Sequence, residues 1–122
     1  MDLSYILNLY KGSDRVRTIA AALDKPQSRI RASGLSGSQH AFVAASVFSM
    51  ANSHTVFVFP EKEEAAYFLN DIENIMGERS ALFFPSSLRK SYRFPQTDNN
   101  SVLLRAEVLT HIGKKKSTKP VV

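Results

Sequence analysis

The residues best placed to do chemistry lie in "ASGLSGSQHA", residues 32–41. A phosphate-binding loop reads G-x-x-x-x-G-K-[ST]. Its first glycine opens the turn and its second lets backbone N–H groups close on the phosphates. The lysine bridges the β- and γ-phosphates, and the hydroxyl holds Mg²⁺. In that frame the chain has Gly34-Leu35-Ser36-Gly37-Ser38-Gln39-His40-Ala41, so only the first glycine stands at a diagnostic position. Gln39 replaces the second glycine, His40 the lysine and Ala41 the hydroxyl. A histidine is too short to reach as lysine does, and an alanine cannot ligate a metal. Gly34, Gly37, Ser38, Gln39, His40 and Ala41 therefore read as a degenerate loop, kept for shape and binding no cofactor. An ordinary glycine turn into a helix is the competing reading.

Other reactive side chains form no constellation. His40, His54 and His111 have no ligand spacing among themselves or to carboxylates, so no metal site is expected. Glu61, Glu63 and Glu64 open a helix-like stretch, where acids complement the helix dipole rather than forming a catalytic pair. Ser36 and Ser38 lack the G-x-S-x-G pattern of a nucleophile elbow. With no cysteine there is no disulfide, thiolate metal site or cysteine nucleophile. No catalytic residue is assigned.

Charge is uneven. The net charge is +5, yet residues 1–78 hold 7 Lys/Arg against 9 Asp/Glu and residues 79–122 hold 9 against 2. The basic end offers Arg89, Lys90, Arg93, Lys114, Lys115 and Lys116 as candidate phosphate contacts, with Tyr92 and Phe94 as stacking groups. A solvated basic surface is the plainer reading. Any DNA binding is expected to be weak and salt-dependent, because no groove-reading element is present.

The elements that must position these residues follow from periodicity. At 122 residues and 43% hydrophobic, the chain suits one domain with a core. The acidic second residue and short apolar run are not those expected of a signal peptide, and nothing reaches membrane-spanning length. A cytoplasmic protein with no membrane partner is expected. "DLSYILNLY" and "GSDRVRTIAAALDKP" have helical spacing, and Pro26 closes the second. Helices are predicted near 38–50, 61–76 and 101–112, and strands near 30–33, 55–59 and 80–84. "HTVFVFP" is a dense β-branched and aromatic run stopped by Pro60, whose continuous apolarity predicts a strand buried on both faces. Alternating strands and helices imply a parallel-sheet α/β fold. The division expected is N-terminal helices over 1–28 and a degenerate NTPase-like α/β domain over 29–122. The final "VV" reads as a core strand just begun, hence a chain truncated at its C-terminal end.

"GLSGSQHAFVAA", "TVFVFPEKEEAAYFLNDIENIMG" and "ALFFPSS", in that order, resemble the N-terminal UvrB-like module of the bacterial transcription-repair coupling factor. The resemblance covers essentially the whole chain, carried by order and spacing rather than by any single motif. It implies a P-loop NTPase-like (RecA-like) fold whose phosphate loop has degenerated. It also implies a parent that is an ATP-dependent DNA translocase, which displaces stalled RNA polymerase and recruits nucleotide excision repair. ATP and Mg²⁺ would serve motor domains downstream; this segment would need no cofactor. Its partners would be other domains of the same chain and, through the adjacent domain, the excision-repair damage-recognition protein. RNA polymerase and DNA would be met by the parent. "PSSLRKSYRFPQTDNN" is too short, with Tyr92 and Phe94 its only aromatics, for the DNA-clamping hairpin of the ATP-binding relative. The implied role is a non-catalytic scaffold and regulatory module. A basic nucleic-acid-binding module and an active P-loop ATPase fragment are the alternatives.

Overall fold

The computed structural model describes residues 3–51, 53–86, 99–114 and 119–122. Five helices follow one another: α1 (Leu3–Gly12), α2 (Asp14–Leu23), α3 (Gln39–Met50), α4 (Lys62–Met76) and α5 (Asn99–Ile112). Each forms for a local reason. Ser13, in extended backbone, starts α2 by accepting the Arg17 N–H on its carbonyl at 3.0 Å. Asp14 adds a negative charge to the first turn of α2, and Glu63 and Glu64 do the same for α4. Gly77 ends α4 at φ +105°, a backbone region where any side chain is strained.

Packing centres on α3, which touches α1, α2 and α4. Its small residues Ala41 and Ala45 let Phe68 and Ile72 of α4 approach, and Ala81 and Val122 complete that cluster. Leu7 of α1 packs on the same cluster. A second cluster joins Val16 and Ala20 of α2 to Val47 of α3. The buried Ser46 hydroxyl is satisfied by donating to the Phe42 carbonyl at 2.7 Å, so it adds no unpaired polar group to the core.

The expected parallel-sheet α/β, P-loop NTPase-like architecture is overturned. The described residues build five helices and no sheet. Among the described residues β-pairing is confined to two isolated parallel bridges, Val56 with Val121 and Leu82 with Val121. Both run through one residue, and its predecessor Pro120 has no N–H to extend the pairing. Of the three strands expected, 55–59 and 80–84 contribute one bridged residue each. Residues 30–33 are exposed throughout and have no bridge partner among the described residues.

The three bridged segments still alternate by face. Phe57, Phe59, Ala81, Phe83 and Val122 turn to the α3–α4 cluster, while Leu82 and Val121 turn to Val108 of α5. Among the described residues the α5 backbone does not come close to any other helix, and its buried Val108 packs on Leu82 and Val121 of this layer. The expectation that 55–59 is buried on both faces is also corrected, because Val56 is 58% and Val58 86% exposed. Alternation aims them to the α5 side, and α5 does not reach far enough to cover them.

Candidate functional site: the glycine loop

The loop before α3 turns on two glycines, Gly34 at φ +82° and Gly37 at φ +52°. It then closes on itself. The Ser36 N–H donates to Gln39 Oε1 at 3.0 Å, and the Gln39 N–H returns to the Ser36 carbonyl at 3.2 Å. His40 Nδ1 lies 3.0 Å from the Gly37 carbonyl. The Ser38 carbonyl accepts from Ala41 N–H at 3.1 Å and Phe42 N–H at 3.2 Å, starting the helix.

This geometry decides what each position can do. Gln39 engages a backbone donor that a phosphate cradle would leave free. His40, at the lysine position, is held against its own loop. Ala41, at the Mg²⁺-hydroxyl position, is 1% exposed and sits in the core cluster beside α4. At these positions the chain therefore presents neither the lysine charge, nor the second glycine, nor the hydroxyl of a phosphate loop. Gly34, Gly37, Ser38, Gln39 and His40 are brought together on an exposed turn, while Ala41 belongs to the interior.

The remaining candidates are dispersed. Arg89, Lys90, Arg93, Lys115 and Lys116, with Tyr92 and Phe94, lie outside the described residues. Lys114 is exposed just beyond α5, its N–H donating to the His111 carbonyl at 3.1 Å. Glu61 precedes α4 as its N-cap, with Glu63 and Glu64 exposed in the first turn. Among the described residues no group of three His, Asp or Glu could hold a metal. None of their helices is long and apolar enough to cross a membrane.

One feature escaped the sequence reading. An apolar groove of about 410 Å³ opens where Val56, Val58 and Phe84 meet Leu109 and Ile112 of α5. The Arg105 guanidinium lies 4.8 Å from the centre of the Phe84 ring, a cation–π contact nearby. In "VFVF", residues 56–59, every residue is apolar, so nothing in the residue types separates the covered face from the open one.

Compared with known proteins, the chain matches no family model, no curated protein and no solved structure.

Proposed function

We propose that the chain is a non-catalytic scaffold and regulatory module of a transcription-repair coupling factor. The observation that carries the non-catalytic half is the position of Ala41: a buried methyl occupies the place of the metal-binding hydroxyl, behind a loop whose Gln39 and His40 bond to the loop itself. The ordered resemblance of "GLSGSQHAFVAA" and "TVFVFPEKEEAAYFLNDIENIMG" to the UvrB-like module supports the parentage. In this reading the helical core holds the module rigid against neighbouring domains of the parent. Recruitment of the excision-repair damage-recognition protein falls to the adjacent domain, and ATP-driven translocation to distant motor domains. The active-ATPase alternative is disfavoured by the same loop.

Calorimetry with Mg·ATP tests the silent loop: no saturable heat is expected at millimolar nucleotide, and micromolar binding or measurable hydrolysis overturns it. Reading the gene beyond codon 122 tests the parentage. Translocase motor motifs in the same frame are expected, and a stop codon directly after Val122 would refute it.

A further inference from the structure

Charge in this molecule is sorted by element, on a smaller scale than the two halves of the chain. From α1's end to the segment before the glycine loop, Lys11, Arg15, Arg17, Lys25, Arg29 and Arg31 face only Asp14 and Asp24, a net of +4 over residues 11–31. Residues 61–78, which contain α4, carry six acids against Lys62, a net of −5. The helices at these poles, α2 and α4, both pack on α3 without touching one another. No Asp or Glu occurs between Lys25 and Pro60, so the basic pole is not neutralised along the chain.

The cations are also available. Arg15, Arg17, Lys25, Arg29 and Arg31 are exposed, and none of them makes an ion pair among the described residues. Arg17 alone is tied down, its Nε donating to the Lys11 carbonyl at 3.2 Å. Arg29 and Arg31 flank Ile30 in a stretch with no regular structure and no bridge partner among the described residues. The positive end of α3 follows a few residues later and adds to the field.

We propose that this pole, centred on Arg29 and Arg31, is a contact surface for the phosphate backbone of duplex nucleic acid. Four of its six cations are arginines, whose planar fork engages phosphate oxygens in pairs. It has no aromatic residue within 11–31, whereas a single strand would need stacking platforms. Contacts of this kind carry no sequence information.

The test is fluorescence anisotropy of a labelled 20-base-pair duplex with the full 122-residue chain across a salt series. Binding that falls steeply with salt and ignores sequence is expected. The double variant Arg29→Ala/Arg31→Ala should weaken binding at least about fivefold at low salt. Each phosphate contact contributes about 0.9 to the slope of log K against log salt, so the slope should flatten by about 1.8. The substituted residues are exposed in an irregular segment, and circular dichroism checks that the fold is intact. Lys114→Ala/Lys115→Ala/Lys116→Ala should lose less. The proposal is overturned if the native chain shows no salt-dependent binding, or if the lysine triple variant rather than the arginine pair carries the loss. Competition by polyglutamate as effective as competition by unlabelled duplex would also overturn it, in favour of an acidic protein partner. None of these outcomes bears on ATP binding or on the parent gene.

Discussion

The Phe57 N–H donates to the Val121 carbonyl at 2.8 Å, and the Val121 N–H donates to the Thr55 carbonyl at 3.0 Å. Residues more than sixty positions apart are thus held by two hydrogen bonds through a single amino acid. The next residue, Val122, accepts from the Phe84 N–H at 2.7 Å and donates to the Leu82 carbonyl at 2.8 Å. The segment 120–122 lies between two others, and the layer separating α5 from the remaining helices depends on it.

Val121→Pro should therefore destabilise the fold beyond the loss of one contact. It removes the donor to Thr55 and leaves a carbonyl unpaired, at a cost of about 1–3 kcal/mol. Urea unfolding measures this, and faster hydrogen exchange at the Phe57 and Leu82 amides should accompany it. Unchanged exchange at both amides would contradict the dependence on 120–122.

Ile72 is fully buried between α3 and the bridged layer. Ile72→Ala should cost roughly 2–5 kcal/mol by transfer and cavity terms. On the same helix Tyr67 is exposed, and Tyr67→Ala should stay within about 0.5 kcal/mol. Paired denaturation midpoints check the contrast.

The alternation of 55–59 predicts opposite responses on its two faces. Val58→Lys places a charge in solvent and should change stability by no more than about 0.5 kcal/mol. Because it interrupts an exposed apolar stretch, it should also lower aggregation in light scattering. On the covered face Phe68 lies between Phe57 and Phe59, with ring centroids 5.0 and 4.8 Å away. Phe68→Ala should cost roughly 3–5 kcal/mol.

Rebuilding a phosphate loop should fail for a structural reason. Ala41→Thr puts a hydroxyl into the core cluster, and the carbonyl one turn earlier, that of Gly37, already has His40 beside it. A loss of about 1–3 kcal/mol in thermal or urea unfolding is expected. The triple variant Gln39→Gly/His40→Lys/Ala41→Thr should still give no saturable Mg·ATP heat. Recovery of nucleotide binding would mean that residue 41 can turn outward.

The helices were legible in the residues because the forces that make them are local. Predicted spans of 38–50, 61–76 and 101–112 stand against Gln39–Met50, Lys62–Met76 and Asn99–Ile112. The Phe68–Ile72 stripe, the acids opening α4 and the stop at Gly77 were all visible, since each acts within a turn or two of its neighbours. The substitutions at Gln39, His40 and Ala41 were likewise plain from residue type. Tertiary structure alone decided the rest. Whether 30–33, 55–59 and 80–84 join as a sheet depends on which distant backbone groups meet, and among the described residues only Val121 supplies the bridges. The burial of Ala41 and the opening of the groove beside Val58 depend on where α4 and α5 come to lie. A run such as "VFVF" is apolar on both sides, so its covered face is chosen by the helices that reach it.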